Sequence, residues 1–166
     1  ARLTSTQLGW LEVFERQDQW RADFRRKLIL QAEQKDICVV GNAGVMRDSA
    51  LGSIIDQHDC VVRFNTFCSE QTDVDDMGQK HTIWVVTPAF RVEQAPAAFS
   101  GSIVLTGPDM QYRMLDWSGL QVFRELKLPL LTVSLPVWRE MVRELAAPPS
   151  AGILFLAWLK SMLGSW

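Results

Sequence analysis

The stretch ICVVGNAGVMRDSALGSIIDQHDCVVRFN, Ile37 to Asn65, decides the fold. An apolar run, Ile37–Val40, breaks at Gly41-Asn42-Ala43-Gly44. A segment with helical spacing, Ser49–Ile55, follows, and a second apolar run, Cys60–Phe64, ends on Asn65. Short runs that are apolar at nearly every position read as strands buried on both faces, and the segment between them supplies the crossover that parallel strands require. In such sheets ligands collect at the carboxyl ends of the strands, where loops meet helix N-termini. Gly41 and Gly44 let the backbone turn sharply and approach a ligand closely, and the next helix N-terminus can face an anion. The turn is equally compatible with a plain strand-to-helix connection that binds nothing. An Asn stands at the tip of each strand, Asn42 and Asn65. An amide donates and accepts at once, so it suits a ribose, a phosphate or a base edge without adding negative charge. The dinucleotide fingerprint needs G-x-G-x-x-G and an acidic residue ending the second strand. Here the spacing is G-x-x-G and the residue is Asn65, so a dinucleotide-dependent dehydrogenase fits poorly.

The alternation continues outward. Thr82–Thr87, Ser102–Gly107 and Leu130–Ser134 read as three more strands. Asp116–Leu126 and Pro136–Leu145 read as helices, as does Ala151–Leu163 after the Pro148-Pro149 break. Ahead of the first strand, Thr4 to Gln34 reads as one long amphipathic helix, with Leu8, Leu11, Phe14, Trp20, Phe24, Leu28 and Leu30 near helical spacing. The expected fold class is α/β, a Rossmann-like, mostly parallel sheet with helices on both faces. Residues 1–35 form the N-terminal helix and residues 36–166 the α/β domain.

Composition sets outer bounds. The chain has 166 residues, 48% of them hydrophobic and 22% charged, with a net charge of -2. That is ordinary for one globular domain and gives no reason to expect nucleic acid. The densest basic run, Arg21, Arg25, Arg26 and Lys27, reads as a solvated helix face. No apolar run approaches the ~20 residues of a membrane-spanning helix. The start ARLTSTQLGW lacks a signal-peptide layout, so the expectation is a cytoplasmic chain or one whose leader has been removed. Cys38, Cys60 and Cys68 show no C-x-x-C spacing and no neighbouring His, which argues against a disulfide framework or a zinc site.

The run from Val39 to Asn65 resembles the large sialylmotif of the sialyltransferase family, glycosyltransferase family 29. The matching features are the Gly41-Asn42-x-Gly44 turn, Gly52, the Ile55-Asp56-x-His58-Asp59 step and the closing Arg63-Phe64-Asn65. The motif's continuation stands at Asp76-Met77-Gly78-x-Lys80. Downstream, PPSAGILFLAWL, starting at Pro148, is similar to the opening of the small sialylmotif, Pro-Ser-Ser/Thr-Gly before an apolar helix.

The resemblance implies a CMP-activated sugar as donor substrate, a glycan hydroxyl as acceptor, transfer with inversion, a variant GT-A fold and no divalent metal or other cofactor. It implies that the nucleotide is held by Asn42 with its neighbour Ala43, by Asn65, and by Ser150, Ala151 and Gly152. Sialic acid is the default sugar, and a related keto-sugar acid of the kind found in bacterial polysaccharides is the alternative. Ala151 replaces the usual second hydroxyl, so one donor is missing. The family's two C-terminal motifs, which supply the catalytic His, have no counterpart before Trp166. The chain therefore reads as truncated ahead of them, with no nameable catalytic residue. A non-catalytic nucleotide-binding or interaction module remains the competing reading, and an unrelated Rossmann-like binder the third.

Several other residues read as structural. His58 and His81 are expected to pack and hydrogen-bond, and Asp56 and Asp59 to fix a loop. The Asp73–Asp76 run DVDD reads as a solvated loop rather than a metal site. Trp84 is the one tryptophan placed to touch a ligand. Vertebrate members of the family join the two motifs by a disulfide, and the matching positions here are Ile37 and Leu163, both apolar. That implies a reducing compartment: a bacterial cytoplasm, whether or not at a membrane surface. For a eukaryotic chain freed of its anchor, the Golgi lumen is implied instead.

Overall fold

The computed structural model describes residues 5–33, 36–42, 46–65, 74–87, 99–106, 123 and 127–164. Five strands form one sheet: β1 (Ile37–Val39), β2 (Cys60–Phe64), β3 (Ile83–Val86), β4 (Ser102–Leu105) and β5 (Leu130–Thr132). They lie in sequence order, every neighbouring pair parallel. All five expected strands are present. The expected helix at Asp116–Leu126 falls outside the described residues except for Phe123, which is helical and buried.

Alternation along each strand divides the core in two. Cys60, Val62, Phe64, Ile83, Val85, Val104 and Leu131 point to one face, beneath α2 (Gln17–Glu33) and the final helix, Ala151–Leu163. Trp84, Val86, Ile103, Leu105 and Leu130 point to the other, where Trp10 and Val13 of α1 (Ser5–Glu15) and Phe123 meet them. On that same face α3 (Gly52–Gln57) sets Ile55 against Val61 and Val40, with Met77 of α4 (Val74–Met77) alongside. Helix α5 (Leu135–Leu145) adds Val137 to the first face, and α6 (Ala151–Leu163) adds Leu154, Phe155, Trp158 and Leu159. Phe24 stacks on Trp158 with ring centroids 5.5 Å apart.

The single long N-terminal helix resolves into two that meet at Arg16. Hydrogen bonds run through the junction (Arg16 N–H to Glu12 O, Trp20 N–H to Arg16 O), so nothing in the local sequence announces a break. The two helices serve opposite faces of the sheet, with Trp20 packed against both clusters. Leu8, Leu11 and Leu30, expected in the core, are exposed.

Between the two helices, Gln17 seals the edge of β5. Its amide nitrogen donates to Leu130 O at 2.7 Å, and its amide oxygen accepts from Thr132 N–H at 2.8 Å. One side chain thus offers the donor and acceptor that another strand would supply. Arg21 continues the seal, donating to Thr132 O at 3.0 Å. Arg25 donates to Met162 O at 2.8 Å, at the carbonyl-rich end of α6. Of the basic run read as a solvated face, Arg21 and Arg25 therefore hold the fold together.

Candidate functional site

The site begins where β1 and β2 end. Past Val40 and Gly41, the Asn42 amide nitrogen donates to Phe64 O at 2.9 Å, tying the first loop to the tip of β2. A carbonyl can only accept, so the amide must present nitrogen there, which fixes its orientation and leaves Oδ1 to accept from outside. Asn65 has φ 43°, in the left-handed region that Asn tolerates better than most residues. Its Oδ1 accepts from Thr87 N–H at 3.0 Å, and its backbone carbonyl accepts from the Trp84 indole N–H at 2.9 Å. Its Nδ2 is left to donate. Neighbouring strand tips therefore each carry an amide with one end wholly unused among the described residues, Oδ1 on Asn42 and Nδ2 on Asn65.

The third contribution is the start of α6. Ser150 caps the helix, its hydroxyl oxygen accepting from Ile153 N–H at 3.4 Å. One turn on, Phe155 meets Phe64 edge-on with centroids 6.1 Å apart, which sets the first turns of α6 beside the tip of β2. Ala151 packs against the core, so it serves the fold and offers a ligand only its backbone. Ala43 and Gly44 lie outside the described residues.

Glycine placement separates site from scaffold. A Cβ on Gly52 would collide with Val74 O, one on Gly78 with the Asp56 carboxylate and one on Gly101 with Thr82 O. A Cβ on Gly41 or Gly152 would meet nothing within 4 Å among the described residues, and neither has a positive φ. Packing among the described residues thus leaves open space at these two positions.

Beside this end, a carboxylate organises residues 46–51. Asp76, 5% exposed, accepts from Asp48 N–H at 2.6 Å and Ala50 N–H at 2.9 Å. Both residues have positive φ, 61° and 52°. The helix expected from Ser49 accordingly starts at Gly52, because these N–H groups turn to the carboxylate. The DVDD run is thus not a solvated loop throughout: Asp75 is exposed, Asp76 is buried and Asp73 lies outside the described residues. The hydrogen bond from Ala50 N–H, helped by that from Asp48 and opposed by burial, lowers the Asp76 pKa. A lowered pKa adds stability that is complete above the unfolded value of about 4 and is lost as pH falls through the folded value. Urea midpoints measured from pH 6 to pH 2 should therefore fall more gently below about pH 4 in Asp76→Asn than in the wild type.

The histidines stand at the other end of the sheet, ahead of β2 and β3. His58 Nδ1 lies 3.1 Å from the Asp36 carboxylate, whose other oxygen accepts from Asp59 N–H at 2.7 Å. That backbone bond is the main reason the Asp36 pKa is lowered. His81 Nδ1 lies 2.8 Å from Gln79 O, and its ring stacks on Phe99 at 5.3 Å. Asp56 accepts from Gln79 N–H at 2.9 Å and Lys80 N–H at 2.8 Å. Asp59 donates its backbone N–H to Asp36, with its carboxylate 3.9 Å from Lys80 Nζ. Trp84 is 1% exposed, so it is not open to direct contact from outside, and its indole N–H turns to the Asn65 carbonyl instead. Sequence reasoning missed Thr87, whose backbone N–H fixes Asn65. No side-chain pattern marks it, because the pairing of Phe64 with Val85 is what brings it there.

Cys38 and Cys60 are free thiols on adjacent strands whose side chains point to opposite faces, and burial raises the pKa of both. Ile37 and Leu163 both pack against the first-face core. Among the described residues, no group of three or more His, Cys, Asp or Glu is placed to hold a metal ion, and no helix is long and apolar enough to cross a membrane.

This architecture is shared with solved structures. A mammalian sialyltransferase superimposes with a TM-score of 0.56 at 24% identity, covering 76% of this chain and 50% of the other. A mammalian sialyltransferase in complex with Gal-beta-1-3GalNAc-ortho-nitrophenol gives a TM-score of 0.52 at 23% identity, over 76% and 51%. The chain thus spans about half the length of the structures it matches. No curated protein sequence matches it. The sequence profile of glycosyltransferase family 29 (sialyltransferase) matches residues 12–112, which take in the Asn42 turn, the Asn65 tip and the segment that positions them. On that match, more than half its length, the chain belongs to glycosyltransferase family 29.

Proposed function

We propose that the chain holds the nucleotide of a CMP-activated sugar, sialic acid or a related keto-sugar acid, for inverting transfer to a glycan hydroxyl without a divalent metal. The observation that carries this reading is the pair of strand-tip amides, Asn42 with Oδ1 left to accept and Asn65 with Nδ2 left to donate. A cytidine monophosphate offers both partners: ribose hydroxyls and the cytosine amino group donate, while phosphate and the cytosine carbonyl accept. The N-terminus of α6 favours the negative charge of the phosphate, and Gly41 and Gly152 leave room for close approach. Free thiols at Cys38 and Cys60 and an apolar Ile37 and Leu163 fit a reducing compartment such as a bacterial cytoplasm.

Calorimetry with CMP, UMP, AMP and NAD tests the reading. CMP should bind best, and Asn42→Ala or Asn65→Ala should each weaken it by about 1–2 kcal/mol, or about 5–30-fold. AMP or NAD binding as tightly as CMP would refute it.

A second reading, nucleotide binding without turnover, is favoured by one specific observation. Both histidines of this sequence sit at the amino ends of the strands, away from Asn42 and Asn65. A general base must come within hydrogen-bond reach of the acceptor hydroxyl. Incubation of this chain with CMP-sialic acid and a panel of galactosides separates the two readings. Run beside a form extended through any downstream His motif, transfer by either one supports the first reading, and CMP binding without transfer by both supports the second.

A further inference from the structure

We infer that Trp84 is a positioning residue for the donor nucleotide: its indole N–H holds Asn65 in the backbone conformation that aims the free amide at the ligand. This rests on the CMP reading above.

Three observations converge. Asn65 has φ 43°, a conformation that an ordinary residue leaves when nothing holds it. Two groups of the next strand hold it, the Trp84 indole on the backbone carbonyl at 2.9 Å and Thr87 N–H on the side-chain oxygen at 3.0 Å. The indole is itself locked, 1% exposed and edge-on to both Phe99, at 5.8 Å, and Phe123, at 5.1 Å. Register explains the reach: Arg63 lies opposite Trp84, so the carbonyl two residues further along β2 comes within range of a long side chain on β3. Phenylalanine would fill much of the same space, but only tryptophan among the large apolar residues adds a donor. A ligand hydrogen bond formed by a pre-aimed amide costs less ordering on binding than one formed by a wandering amide.

The test removes the donor and keeps the shape. Trp84→benzothienylalanine replaces the N–H by sulfur in a ring of nearly the same size, and Trp84→Phe is the genetically encoded second variant. Calorimetry with CMP should show affinity reduced about 5-fold in both, with thermal midpoints close to wild type for the analogue. In an Asn65→Ala background the same replacements should change CMP affinity by less than about 2-fold, since the residue they position is gone. The Asn65 side-chain NH2 signals in a 15N spectrum should be dispersed in the wild type and shift toward averaged values in the analogue without ligand. A merely structural tryptophan would not couple to Asn65 in this way. Unchanged CMP affinity with unshifted Asn65 signals overturns the inference, and so does an equal affinity loss in the Asn65→Ala background. Wild-type protein that binds no CMP overturns the donor reading instead, and the Asn65 signals then decide the positioning role by themselves.

Discussion

Arg63→Ala is expected to destabilise the protein by about 3–5 kcal/mol, the combined effect of two carbonyls left without their donor and of the cavity opened by a large buried side chain. Arg63 is the penultimate residue of β2 and is 1% exposed. Its guanidinium donates to Lys80 O at 2.9 Å and to Met77 O at 2.5 Å. Asp56 meanwhile accepts the N–H groups of Gln79 and Lys80, so the 77–80 segment is gripped by its carbonyls from one side and by its amides from the other. Truncation leaves two carbonyls without their charged donor and opens a void beside a strand. Stability of a domain is typically only about 5–15 kcal/mol, so the variant should sit near its unfolding threshold at 37 °C. Urea denaturation followed by tryptophan fluorescence measures the loss, with Arg63→Lys intermediate because it keeps a donor but not the planar fork. A loss below about 1 kcal/mol in Arg63→Ala would mean that the grip is not structural.

The second large effect is expected from Gly52→Ala, and its sign is informative. Gly52 opens α3, where helix propensity alone would make alanine the better residue by about 1 kcal/mol. The structure demands the reverse. A Cβ there would strike Val74 O and come within 2.7 Å of Asp75 O and of Gly78 N. All three are backbone atoms, which cannot rotate aside. Helices α3 and α4 would have to separate, and with them the Asp76 carboxylate from the loop it organises, at a cost of about 3 kcal/mol. Equilibrium denaturation gives the sign directly. Hydrogen exchange should show faster opening at Asp48 and Ala50, whose N–H groups Asp76 binds. Stabilisation on Gly52→Ala would show that close helix contact does not govern this position.

The strands were legible because each is apolar at successive positions, and a parallel sheet covered on both sides leaves few other solutions. The N-terminal helices were legible as helix but not as two. Their hydrogen bonds run through Arg16, and the face each presents changes because they pass the edge of the sheet. Spacing that pointed to Leu8, Leu11 and Leu30 therefore missed Trp10 and Val13. The start of α3 was misplaced by a side chain 26 residues away, since Ala50 N–H answers to Asp76 and no local pattern carries that information. At the site, Asn42 and Asn65 could be picked out as strand tips. Which pole of each amide stays free depends on the carbonyl of Phe64 and the N–H of Thr87, which only strand pairing brings near. Trp84 was legible as close to the site, and its burial redirects it from ligand to Asn65.

The Gln17 seal on β5 also limits how two copies can meet. A sheet has two borders, and a copy that joined its β1 to a neighbour's β5 would leave the same pair of borders exposed at the ends of the pair. Such head-to-tail addition has no stopping point and grows into a filament. Among the described residues β5 is the last strand, and with Leu130 O and Thr132 N–H already satisfied from within the chain it offers an incoming strand no free partner at either group, so this route to a filament is blocked where it would begin.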